Sequence, residues 1–250
     1  RQLARREALA PPQACAAARL WVEAKLANGL AWMREHPGAP VAALEDARAA
    51  LPACATVEAL RGVEGAAARA AFRWVNGRAL DPAWHSAGRQ PGTQPDRWNS
   101  LLDFGYFLLF TRLNVLLRTR GLNPYLGFLH SPADHFESLV CDVQEPFRPR
   151  VDRWVLNLAN RGVVRPADFE PPAERRGWRL GRDALRRVVQ AWEREQHLRR
   201  AGDPGTLGQL LVAQTDALVA WARDGAVLQV YHAQRNGPPT RPGGAETPAT

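Results

Sequence analysis

The chain has 250 residues, an apolar content of 46% and a formal net charge of +8. That length suits one large domain or two small ones around a buried core, and that composition excludes a disordered protein. No uninterrupted apolar stretch approaches a membrane span and no signal-peptide pattern opens the sequence. The basic surplus points to a polyanionic partner, with nucleic acid first.

In chain order, Ala17, Leu20, Trp21, Ala24, Ala27 and Leu30 fall at helical spacing within residues 14–36, and this first helix stops before Pro37. A second helix spans about 40–51, limited by Pro52. The alanine-rich stretch 56–77 predicts a third, closed by Asn76-Gly77 as a C-cap. A loop over about 79–95 carries Pro82, Pro91, Gly92 and Pro95. Asp96 then caps a long apolar helix that ends at Gly121, and its apolar circumference predicts a central, buried element. Helices at about 135–145, 147–161, 182–200 and 206–224 follow, and residues 227–232 read as a short extended tail. Residues from about 235 onward are rich in proline, glycine and threonine and are expected to be disordered. The fold class is therefore all-α: a helical domain over 1–234 and a tail over 235–250.

Lys25 is the only lysine among 33 basic residues. Arginine is the better bidentate clamp for phosphate, although a GC-rich genome produces the same excess. Cys15, Cys54 and Cys141 are odd in number and lack CxxC spacing, so they read as reduced core thiols of a cytoplasmic protein. The chain opens at Arg1 and its only methionine is Met33, which predicts a longer natural N-terminus.

The chemistry concentrates between Gly121 and Pro149. His130 lies near Asp142 and Glu145, whose three-residue spacing puts both carboxylates on one helix face. With Glu64 upstream, the set offers two or three oxygen ligands and one nitrogen, which suits Mg²⁺ or Mn²⁺ on a phosphodiester better than structural zinc. Each residue also has a plainer reading. Glu64 alone is more often a solvated helix acid, Asp142 and Glu145 can simply flank a helix end, and His130 can be a hydrogen-bonded boundary residue.

Four blocks in order carry a resemblance: "VEGAAARAAF"; "QPDRWNSLLDFGYFLL" with Asp96, Asn99, Gly105 and Tyr106; "GLNPYLGFLH"; and "SLVCDVQEPFRP" followed by "VDRWVLNLANRG". Over roughly residues 10–232 the chain resembles the CRISPR-associated integrase of spacer acquisition, the Cas-one family. The resemblance implies a helical catalytic domain whose Glu64, His130 and Glu145 bind Mg²⁺ or Mn²⁺. Asp142 is a neighbouring catalytic acid or a residue that orients His130. It implies insertion of short DNA fragments into a repeat array by transesterification, together with DNA endonuclease activity. Arg148 either faces the phosphate backbone or locks Glu145, Arg89 is a DNA contact, and Asn99 packs or positions a ligand. The implied partners are duplex DNA with 3′ overhangs, CRISPR repeat DNA, a second copy of the chain and a small ferredoxin-like partner, the Cas-two family. Members usually carry an N-terminal β-rich domain that this sequence does not include. Two alternatives stay open: a stand-alone metal-dependent nuclease or transposon-type integrase, and a non-catalytic DNA-binding scaffold or lobe of a fusion protein.

Overall fold

A computed structural model of the chain describes residues 11–130, 136–173 and 177–233. Its α-helices are α1 (Pro11–Met33), α2 (Val41–Ala50), α3 (Val57–Asn76), α4 (Arg97–Thr119), α5 (Ser138–Gln144), α6 (Arg148–Asn160), α7 (Arg182–Gln196) and α8 (Leu207–Asp224). The only paired strands among the described residues are β1 (Phe169–Glu170) and β2 (Arg179–Leu180), a two-residue antiparallel pair that the sequence reading did not anticipate. The all-α expectation holds.

Local chemistry fixes most boundaries. The Thr56 side chain accepts from the Ala59 amide at the start of α3, and Asp96 accepts from the Asn99 amide at the start of α4. Each satisfies a donor that the first helical turn leaves open. Gly121 adopts the positive φ of +73° expected just past a helix end, whereas Gly77 closes α3 in right-handed conformation at φ −64°. The C-cap expected at Gly77 thus exists without using the freedom peculiar to glycine. Residues 225–233 form no strand, and the disordered tail expected from residue 235 lies outside the described residues.

Helix α1 packs on α2, α3, α6 and the 3₁₀ turn Glu145–Phe147, while α4 packs on α5, α6, α8 and β2. One hydrophobic cluster runs from Cys15 to Leu228, with Trp21, Leu60, Trp98, Leu109 and Phe147 fully buried. One expectation for α4 needs correction. It buries one side, through Leu101, Leu109, Leu113 and Leu117, but leaves Phe107 and Val115 exposed, so it is not enclosed all round. By length and mean hydropathy it also qualifies as a membrane-crossing helix, although Asp103 and Arg112 interrupt its apolar run as the sequence led one to expect. A core helix passes the same test.

Candidate active site

Helix α3 turns Leu60, Glu64 and Ala67 to one side, since residues three and four apart share a helix face. Leu60 and Ala67 are buried, so the carboxylate of Glu64 is carried inward with them. Opposite it, α1 presents Lys25, and α5 gives way to a 3₁₀ turn that begins with Glu145. These side chains line a cavity of about 290 Å³ together with His130, Arg148, Arg89, Tyr106 and Asp152.

His130 reaches the cavity on a loop without regular structure, and Asp142 organises that loop. Asp142 has no solvent exposure. Its Oδ2 accepts from the amides of Phe128 and Leu129, and its Oδ1 accepts from the amide of His130 at 2.9 Å. The same Oδ1 lies 2.7 Å from His130 Nδ1. A carboxylate there requires the ring proton on Nδ1, which leaves the Nε2 lone pair free. Gly127 permits this approach: a Cβ on it would stand 2.8 Å from the Ser138 carbonyl carbon and 3.0 Å from Asp142 Oδ2. From α3, Arg61 Nε donates to the Leu129 carbonyl at 2.9 Å, so the helix that carries Glu64 also holds the histidine loop.

The three-residue spacing of Asp142 and Glu145 predicts one shared face, and here the structure departs from it. Helix α5 ends between them, Asp142 points into the loop, and only Glu145 lines the cavity. Asp142 instead holds His130 by its backbone amide and its ring. Glu145 is buried, with Arg148 Nε 2.9 Å from its Oε1 and Lys25 Nζ 2.7 Å from its Oε2. Neither contact is aligned as a hydrogen bond, and both Glu145 Oε2 and Arg148 Nε lack a hydrogen-bond partner. Lys25 Nζ also pairs with Glu64 Oε1. Burial alone raises the pKa of the Glu145 carboxyl, but Arg148, Lys25 and His130 outweigh it and hold the group well below the usual range. Burial likewise opposes the Lys25 ammonium, yet Glu145 and Glu64 prevail and raise its pKa.

On the far wall Tyr106 Oη donates to Asp152 Oδ1. Burial, then Asp152, pushes the Tyr106 phenol up, and burial raises Asp152 despite its tyrosine donor. The Arg148 and Arg89 guanidinium carbons lie 4.6 and 5.6 Å from the Tyr106 ring centre. Arg89 is also bonded to Asn99 Oδ1 at 2.9 Å and paired with Asp103. Asn99 is fully buried, and its amide nitrogen donates to Ser86, Gly88 and Asp96, so it staples the preceding loop to α4 and does not line the cavity.

Among the described residues, no three His, Cys, Asp or Glu side chains converge tightly enough to hold a metal ion. The Lys25 ammonium instead stands between Glu64 and Glu145. The donor types nonetheless fit a hard divalent cation: the imidazole of His130 and the carboxylates of Glu64 and Glu145, of which Glu145 Oε2 is buried without an aligned hydrogen-bond partner.

Residues 1–194 match the family described as CRISPR associated protein Cas1. The chain belongs to the Cas1 family. It is 33% identical over 208 residues to a CRISPR-associated endonuclease Cas1 of Thermus thermophilus, covering 81% of this chain and 64% of that one. The chain thus spans just under two thirds of this relative's length. In fold it resembles a casposase bound to integration product (TM-score 0.78, 23% identity, 90% of this chain and 64% of that one). It likewise resembles the chain of a Cas6-RT-Cas1–Cas2 complex (TM-score 0.79, 22% identity, 94% of this chain and 26% of that one).

The Cas1 resemblance placed Glu64, His130 and Glu145 together, and the cavity contains all three. It did not point to Lys25, Asp152 or Arg61. Lys25 carries one signal in the sequence, its being the sole lysine; Asp152 and Arg61 carry none, because their partners lie 46 and 68 residues away.

Proposed function

We propose that this Cas1-family chain is a CRISPR adaptation integrase. It inserts short DNA fragments into a repeat array by divalent-metal-dependent transesterification, and it has DNA endonuclease activity. The observation that carries the reading is the meeting in one cavity of Glu64, His130 and Glu145 with three basic side chains, Lys25, Arg89 and Arg148. Carboxylates and an imidazole suit Mg²⁺ or Mn²⁺, and the cations suit a phosphodiester.

In this reading Glu64, His130 Nε2 and Glu145 hold the cation, and Asp142 keeps the His130 proton on Nδ1 so that Nε2 stays available. The bound ion supplies acidification of a hydroxyl and neutralisation of charge on the pentacovalent phosphorus. The 3′-hydroxyl of the incoming DNA loses its proton and forms a new phosphorus–oxygen bond. The bond to the repeat strand's own 3′-oxygen breaks, and that oxygen takes up a proton. Arg148 and Arg89 line the same cavity and draw the phosphate toward it. No enzyme nucleophile is required.

The partners in this reading are duplex DNA with 3′ overhangs, the repeat DNA, a second copy of the chain and a Cas2-type protein. The likeness of fold to the chain of a Cas6-RT-Cas1–Cas2 complex supports the last. The test is Mn²⁺-dependent strand transfer of a labelled 3′-overhang duplex into a supercoiled repeat plasmid, with His130→Ala as control. Transfer by the chain that His130→Ala lowers about a hundredfold or more supports the reading. Equal transfer by both would remove His130 from the site. Binding of DNA by both with no transfer favours the scaffold alternative.

A further inference from the structure

Within the active site just described, Lys25 has no place in the metal-dependent reading above. Among the described residues its close partners are the two carboxylates assigned to the metal: Nζ pairs with Glu64 Oε1 and lies 2.7 Å from Glu145 Oε2. Its side chain is only 17% exposed, and the two carboxylates are 20% and 5% exposed. Two carboxylates brought together away from water repel one another, and an ammonium between them removes that cost. Arg148 cannot do the same, because it contacts Glu145 alone from the opposite oxygen and is held over the Tyr106 ring.

Resting on that reading, we propose that Lys25 is a displaceable placeholder: its ammonium occupies the divalent-cation position in the metal-free chain and leaves it when the metal binds. The two cations cannot share the position, since like charges a few ångströms apart repel strongly in a partly buried site. Lysine suits such an exchange. Its charge is compact and rides on a flexible four-carbon stem, whereas a forked guanidinium fixes its partners. The contacts of Glu145 fit as well: neither cation is aligned as a hydrogen bond, and Oε2 has no hydrogen-bond partner. Asp152 lines the same cavity, which gives the released ammonium another acid to turn to. Lys25 is therefore a positioning residue that acts through Glu64 and Glu145 and sets metal affinity.

The sole lysine offers a direct readout. In the full chain labelled with ¹⁵N-lysine, a single side-chain Nζ signal reports Lys25. Saturating Mg²⁺ should shift it or exchange-broaden it beyond detection, while His130 ring signals record that the metal has bound. In parallel, Lys25→Met should bind Mn²⁺, followed by electron paramagnetic resonance of the free ion, at least about tenfold more tightly than the unaltered chain. Its melting temperature without metal should fall, and Mn²⁺ should restore more of it than in the unaltered chain. A Lys25 signal that stays put while His130 responds overturns the placeholder and leaves the metal site standing. So does a Lys25→Met chain that binds Mn²⁺ no more tightly. Silence of both signals to Mg²⁺ overturns the metal site and the placeholder together. The labelled chain decides the matter even where Lys25→Met does not fold.

Discussion

Two clusters of buried charge lie on opposite sides of α6 and are built to different standards. On one side Arg150 Nε donates to Glu195 at 2.9 Å, its Nη1 to Asp203, and its Nη2 to the Leu198 carbonyl at 2.6 Å. Arg200 closes on both Glu195 oxygens, and Tyr231 Oη donates to Asp203. None of the side-chain nitrogens and oxygens of Arg150, Glu195 or Asp203 is buried without a partner. On the other side, Glu145 touches two cations without an aligned hydrogen bond to either. Glu145 is as buried as Glu195 and Asp203, each with 5% of its side chain exposed, so burial of the carboxylate does not separate them. What separates them is saturation. The Arg150 cluster is closed, as a structural ion network must be, whereas in the Glu145 cluster Glu145 Oε2 and Arg148 Nε are buried beside opposite charges without an aligned hydrogen-bond partner.

That contrast can be broken by mutation. The largest effect belongs to the closed cluster: Asp203→Ala removes the acceptor of Arg150 Nη1 and of Tyr231 Oη and should cost about 3–5 kcal/mol in denaturant unfolding, with or without Mn²⁺. A loss below ~1 kcal/mol would show that the network is not what holds this side together. Next, Asp142→Asn keeps the size of the side chain but weakens its hold on His130 Nδ1, and should lower Mn²⁺ affinity about 10–100-fold. Affinity within about twofold of the unaltered chain would mean that His130 needs no orienting carboxylate.

The smallest effect sharpens the comparison through pH. The Asp152 carboxyl is raised above its ordinary value of 3.8, first by burial. A group raised on folding binds more protons in the native state, so its contribution is fully present below about pH 4 and is lost as pH rises through the raised value. Asp152→Asn should therefore flatten the decline in stability over that window while leaving the limb below it unchanged. Parallel stability–pH curves for the two chains would remove the burial argument for Asp152.

Much of this molecule is legible in its sequence because the relevant physics is local. Thr56 and Asp96 start helices by accepting from amides three residues on, and Gly121 ends one with positive φ. Glu64, His130 and Glu145 were found through motifs, and the cavity contains them all. Where partners are remote, the sequence is silent. Nothing near Lys25 announces Glu64, 39 residues away, and nothing near Tyr106 announces Asp152. Asp142 shows a third case: its spacing from Glu145 suggested a pair on one helix face, but Pro146 follows Glu145 and the backbone tightens into a 3₁₀ turn there. That local change separates the two carboxylates, one into a loop and one into the cavity.

The turn that carries Glu145 is also fastened from far along the chain. Asn28 Nδ2 donates to the Pro146 carbonyl at 2.7 Å, and its Oδ1 accepts from the Ala233 amide at 2.7 Å. Phe147 stacks on Tyr231 with ring centres 5.0 Å apart. The Glu145 wall of the cavity is thus clasped between the first helix and residues made some 200 positions later. Synthesis proceeds from the N-terminus, and contacts this distant in sequence form late. A nascent chain can already have every candidate ligand outside the ribosome and still lack the residues at 231–233 that hold the Glu145 turn in place.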